Sequence, residues 1–125
     1  MIGTKLLILG FDGADWKIIN RLLERGECPN IARLIQKGFS TPLNSTTPPM
    51  TLPSWSSMLT GANPGIHGIF DFVHKETDAW KLHFSSAKDR QVPTMHEWLS
   101  EHGKRVASIA VPTTWPPSPV NGIVI

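Results

Sequence analysis

At 125 residues the chain has the length of one domain, and a compact fold of that size buries roughly two-thirds of the surface its unfolded chain exposes. It is 40% hydrophobic and 18% charged, a globular balance, and its twelve Lys and Arg are scattered among ten acids to a net charge of +2, so no nucleic-acid footprint is present. The single cysteine, Cys28, excludes an internal disulfide, and Lys5 followed by Leu6-Leu7-Ile8-Leu9 is too short an apolar run for a signal peptide or a bilayer span, so a cytoplasmic location is expected.

Residues 5–11 are an apolar run ending at Asp12-Gly13, the pattern of a buried parallel strand that delivers a polar residue at its C-terminal end. Ile18, Ile19, Leu22 and Leu23 then recur at helical spacing from Trp16 to Gly26, with Asp15 placed to cap the start. Pro29 and Asn30 open a second helix in which Ile31, Leu34 and Ile35 share a face, and Gly38 stops it. Residues 39–45 read as a second strand, with Pro42 assigning it to an edge. The stiff segment from Thr46 to Pro53 leads into a helix that Pro53 should open and Gly61 should end, which sets Thr51 just ahead of the helix N-terminus. Asn63 to Gly68 is rich in turn residues, and 69–90 reads as an excursion from the main sheet, a hairpin or lid inserted into a single domain spanning 1–125. Pro93 opens another helix with Met95, Trp98 and Leu99 on its inner face; Arg105 to Val111 is a buried strand; Gly122 to Ile125 is strand-like. That last run stops without a cap or turn, so the chain is expected to be the N-terminal piece of a larger domain.

This alternation predicts an α/β fold with a mainly parallel sheet and helices on both faces, whose sites lie at the carboxyl ends of the strands, on the rim that would hold Asp12 and Thr51. A carboxylate at the exit of a buried strand is costly unless a cation or hydrogen-bond donors meet it, although Asp12 could equally cap the next helix, in competition with Asp15. A hydroxyl at a helix N-terminus lies where backbone amides favour a phosphate, but Ser and Thr are ordinary caps, and spacing alone does not choose among Thr46, Thr47, Thr51, Ser54, Ser56 and Ser57. His67, between glycines, can be a ligand or a structural hydrogen-bonder. His74, His83, His96 and His102 show neither the two-residue nor the helical pairing of a zinc site and read as ordinary. Trp16 and Trp98 read as core, and Trp55 and Trp115 as neighbours of the site loops.

Taken together, Leu7-Ile8-Leu9-Gly10-Phe11-Asp12-Gly13, then Pro49-Met50-Thr51-Leu52-Pro53-Ser54-Trp55, then Met58-Leu59-Thr60-Gly61-Ala62-Asn63-Pro64-Gly65-Ile66-His67-Gly68-Ile69 resemble the opening of the type I phosphodiesterase and nucleotide pyrophosphatase branch of the alkaline phosphatase superfamily. The Pro-Asn helix entry in Cys28-Pro29-Asn30-Ile31-Ala32-Arg33-Leu34 joins the blocks in the family's order. The resemblance implies a truncated alkaline-phosphatase-like core. It carries to Asp12 the role of ligand to one of two divalent metals, zinc first and manganese as the alternative. To Thr51 it carries the roles of nucleophile and metal ligand, and it assigns His67 to structural support of the site. The implied activity is hydrolysis of a small-molecule phosphoester through a phosphothreonine.

Two departures qualify that implication. Where nucleotide pyrophosphatases carry an asparagine that holds the phosphoryl oxygen, this chain has Phe70-Asp71-Phe72, which argues against strict nucleotide pyrophosphatase specificity. The family's remaining Asp and His ligands come from later segments, so these 125 residues are expected to be inactive by themselves. Two alternatives stand beside this reading: a non-catalytic truncated binding or scaffold module, and a phosphomutase or phosphatase of the same superfamily. Mutases of this kind typically use serine, which Thr51 does not match.

Overall fold

The computed structural model describes residues 5–75 and 80–125 and mixes helices with small sheets. Its backbone contacts divide it into two compact units, the first ending at Asn44 and the second running Ser45–Ile125.

The first unit is built on two helices, α1 (Trp16–Glu24) and α2 (Pro29–Lys37), which pack on each other. Asp15 caps α1, its carboxylate accepting the Lys17 N–H at 2.6 Å, and Gly26 turns the chain out of the helix at φ 72°. α2 opens on Pro29, whose missing N–H would have had no intrahelical partner there in any case. Neither helix carries a fully buried side chain, as expected for a unit of this size, which has too little chain to enclose a core.

The expected strands of this unit do not form. Residues 5–11 lie outside any ladder, and Leu6, Leu7, Ile8, Leu9 and Phe11 are 49–79% exposed. An apolar run specifies a strand only where a partner takes up its N–H and C=O groups, and among the described residues none does so. Residues 39–45 are likewise irregular, with Pro42 removing a donor from the middle of the run and Phe39 and Leu43 in solvent.

In the second unit α3 (Thr51–Thr60) carries the core: Leu52, Leu59 and Ile69 are buried, together with Pro53, Ser56 and His67. Its start corrects the sequence reading by two residues. Met50 is the N-cap, Thr51 the first helical residue and Pro53 the third, a position that also lies within the first turn, where N–H groups lack helical acceptors. Gly61, at φ 69°, donates to the Ser57 carbonyl at 2.8 Å and ends the helix. The turn-rich stretch then closes into one helical turn, α4 (Pro64–His67), packed against α3.

Beyond α4, β1 (Val73–Lys75) and β2 (Leu82–Phe84) pair antiparallel with His74 opposite His83, and a 3-10 turn at Ala87–Asp89 follows. α5 (Met95–Glu101) starts on a reciprocal cap: Thr94 accepts from the Glu97 N–H, and Glu97 accepts from the Thr94 N–H at 2.6 Å. Trp98 is not core; it is 53% exposed and lies against His102, one turn on, with ring centroids 4.2 Å apart. Finally β3 (Val106–Ser108) and β4 (Gly122–Val124) pair in parallel, Val106 opposite Gly122. The structure is therefore mixed α/β, with parallel pairing confined, among the described residues, to this short pair. No described helix is long and apolar enough to cross a membrane.

Candidate functional site

Asp12 lies in a turn closed by the Ala14 N–H on the Phe11 carbonyl at 3.3 Å, ahead of α1 in the first unit. The cap of α1 is Asp15, so the helix does not claim Asp12 for that purpose.

Thr51 lies in the second unit, half-buried at the start of α3. The helix gains its first hydrogen bond from the Ser54 N–H to the Met50 carbonyl at 3.0 Å, which leaves the earlier amides of the turn without helical acceptors. Other hydroxyls of the helix are committed elsewhere. Ser54 Oγ lies 3.1 Å from Ser45 Oγ and 3.0 Å from Thr46 Oγ1, tying the preceding loop to the helix start. Thr46 Oγ1 also reaches the Pro48 carbonyl at 2.7 Å, and the Thr47-Pro48 peptide bond is cis. Ser56, fully buried, donates to Thr113 Oγ1 at 3.2 Å, Ser57 meets His67 Nε2 at 2.9 Å, and Thr60 bonds back to the Ser56 carbonyl. Among the described residues, no side-chain hydrogen bond occupies the Thr51 hydroxyl. Of the hydroxyls that spacing left open, Thr46, Ser54, Ser56 and Ser57 thus have partners, and those of Thr47 and Thr51 have none among the described residues.

His67 is wholly buried and its protonation follows from its neighbours. Nδ1 accepts the Ile69 N–H at 3.1 Å, so the neutral ring carries its proton on Nε2 and donates it to Ser57 Oγ. A ring in that tautomer cannot take a proton from Ser57, so the pair is a clasp between α3 and α4 and not a nucleophile with its base. Burial pushes the His67 pKa below its ordinary 6.5; the Pro53 carbonyl opposes this and the Arg90 charge adds to it.

Phe70-Asp71-Phe72 leads into the hairpin. Asp71 Oδ1 accepts the Phe72 N–H at 2.6 Å and its carbonyl accepts the Ser85 hydroxyl at 2.6 Å, while both phenyl rings are about half-exposed. Asp71 is thus occupied at the base of the two strands.

The hairpin holds a group that the sequence reading passed over. His74, His83 and Asp89 each offer a ligand atom, all within 4.8 Å of one another. The two-residue and helical spacings of common zinc motifs could not find it, because the pairing is across strands. Directly opposite residues of an antiparallel pair face each other, and His74 and His83 are such a pair within the 69–90 stretch.

No solved structure matches the chain. The model of the type I phosphodiesterase / nucleotide pyrophosphatase family does match it, over residues 6–122, a span that takes in the turn of Asp12, the helix start at Thr51 and the His67 clasp. With nearly its whole length matched, the chain belongs to the type I phosphodiesterase / nucleotide pyrophosphatase family.

Proposed function

We propose that this chain supplies the nucleophile and one metal ligand of a metal-dependent phosphoester hydrolase, with Thr51 as nucleophile and Asp12 as ligand. The observation that carries the reading is the position of Thr51: first residue of α3, with a hydroxyl that no described side chain engages, in a family whose members hydrolyse phosphoesters. A phosphoryl group placed there would meet outward-pointing amides and the positive end of the helix.

Asp12 suits a divalent cation by chemistry, as a carboxylate on an exposed turn that the helix cap does not use. Asp12 and Thr51 would each serve as a ligand to a divalent ion, zinc or manganese, and two such ions would supply positive charge beside the Thr51 oxygen and the phosphoryl oxygens. Thr51 Oγ then attacks phosphorus in line with the departing alcohol, its proton passing to solvent, to give phosphothreonine. Water attacks the same phosphorus, releasing phosphate or a phosphomonoester and restoring the hydroxyl. Phe70-Asp71-Phe72 offers no amide side chain to a phosphoryl oxygen, so the substrate class is phosphodiesters or monoesters broadly and not nucleotide pyrophosphates strictly. In the domain that performs this chemistry, residues 5–11 would serve as a strand of a mainly parallel sheet flanked by helices.

Two cations cannot be held by Asp12 and Thr51 alone, and phosphate esters demand rate enhancements of up to about 10²¹. The 125 residues alone should therefore turn over bis-p-nitrophenyl phosphate, with zinc or manganese, no faster than their Thr51→Ala variant. Joined to segments carrying the family's remaining Asp and His ligands, the chain should show, after acid quench and peptide mapping, a phosphate on Thr51. A phosphate on another residue, or turnover that survives Thr51→Ala in that longer protein, overturns the assignment.

A further inference from the structure

We propose that His74, His83 and Asp89 form a zinc-class metal site on the β1–β2 hairpin, separate from Asp12 and Thr51 and independent of the catalytic reading.

The hairpin register puts His74 directly opposite His83, so both imidazoles project from one face of the two-stranded sheet. Their ring centroids lie 4.7 Å apart at an interplanar angle of 48°. On the other face Lys75 sits over the Trp80 ring, 4.0 Å from its centroid, which keeps that cation away from the imidazole pair. Asp89 reaches the same group from the 3-10 turn, with Oδ1 3.0 Å and Oδ2 3.1 Å from His83 Nε2.

The carboxylate is held in place before any ion arrives. Ser86 donates its N–H at 2.7 Å and its hydroxyl at 2.8 Å to Asp89 Oδ2, and the Ala87 N–H bonds to the Trp115 carbonyl at 2.7 Å, fixing the turn to the loop before β4.

Two imidazoles and one carboxylate, with water completing four-coordination, are a donor set for zinc and its neighbours in the first transition row; magnesium and calcium favour all-oxygen sets. Ligand atoms about 2.0–2.1 Å from a tetrahedral ion lie roughly 3.3 Å from one another. The His83–Asp89 pair already has nearly that separation, so only His74, on an exposed strand, must close in from the 4.8 Å span. Asp89 and His83 are part-exposed, which gives the ion a path in from solvent.

The test is titration of the 125-residue chain with zinc chloride, read by calorimetry and by the side-chain ¹⁵N resonances of its histidines. One equivalent should move the ring nitrogens of His74 and His83 and leave those of His96 and His102 in place. His74→Ala and His83→Ala should each weaken the zinc affinity at least about tenfold, by comparison with the 10–100-fold cost of losing residues that only support a ligand. Magnesium chloride should leave the imidazole resonances unmoved. Zinc that leaves the His74 and His83 rings unshifted overturns the site, and so does equal affinity in the His83→Ala variant. The resonances are read on the parent chain, so the first of these outcomes stands even if a variant folds poorly.

Discussion

Ser56 and Ser108 are buried to the same degree and differ in what their hydroxyls meet. Ser56 donates to Thr113 Oγ1 from within α3, whereas Ser108 Oγ, 2% exposed at the end of β3, has no hydrogen-bond partner among the described residues. A buried hydroxyl without a partner loses its hydration and gains nothing, while a paired one recovers the cost. Ser108→Ala should therefore be neutral or stabilising by up to about 1 kcal/mol, and Ser56→Ala should destabilise by about 1 kcal/mol, in urea unfolding followed by circular dichroism. Equal losses in the two variants would mean that Ser108 is paired in solution. The same distinction limits what a sequence can say of a serine or threonine. Thr51, Ser54, Ser56 and Ser57 are equivalent as letters within one helical segment, and the partners of the last three come from residues 45–46, 67 and 113, which no local pattern connects.

At the scale of elements, the helices were more legible than the strands: the runs at 106–108 and 122–124 and the pair within 69–90 formed, those at 5–11 and 39–45 did not, and the reason is where their hydrogen bonds go. α1, α2, α3 and α5 satisfy their own backbones, so spacing and punctuation placed them: Asp15 and Gly26 around α1, Pro29 and Gly38 around α2, Gly61 after α3, Gly103 after α5. Pro53 misled by two residues because the whole first turn of a helix tolerates a missing N–H. Residues 5–11 and 106–108 look alike as apolar runs, yet only the second has a described ladder partner. That ladder depends on Gly122, whose φ of 152° places it against β3 so closely that an added Cβ would fall on the Val106 carbonyl. Gly122→Ala should thus force the strands apart at a cost of about 2–3 kcal/mol. In hydrogen exchange the Ile125 and Ala110 amides, which bond to the Ser108 and Ile125 carbonyls, should lose protection. The Gly61 amide, bonded within the end of α3, should keep it; unchanged exchange at Ile125 would show that the close approach is not rigid.

Over the molecule as a whole, the mixture of helix and strand and the family were legible, because both rest on ordered local motifs. The extent of the sheet was not, because sheet formation depends on partners far away in sequence. What the fold does to its titrating groups was equally hidden, and it sets how stability varies with pH. Burial lowers the pKa of His67 from 6.5, with the Pro53 carbonyl opposing and Arg90 assisting, and burial lowers that of His96 as well, with Glu97 opposing and Arg90 assisting. Each ring binds its proton less readily folded than unfolded. Their contribution is therefore complete above the unfolded value of 6.5 and is lost as the pH falls below it, since the unfolded chain takes up protons that the folded chain refuses. Asp89 and Glu97 are also lowered, from 3.8 and 4.5, because hydrogen bonds from Ser86 and His83, and from Ser118 and Thr94 with the charge of Arg90, outweigh burial. Their stabilisation is present above those values and fades only as the pH falls below 4.5 towards the lowered folded values. Between about pH 7.5 and about pH 5 the imidazoles thus act without these two carboxylates, and the melting temperature should fall across that range. His67→Gln, which lacks a titrating ring, should melt lower than the parent at the upper end, through loss of the clasp to Ser57, and should show a shallower fall towards the lower end. A slope unchanged by His67→Gln would mean that the buried ring is protonated as readily in the folded chain as in the unfolded one, contrary to a donor pattern in which Nδ1 is held by the Ile69 amide.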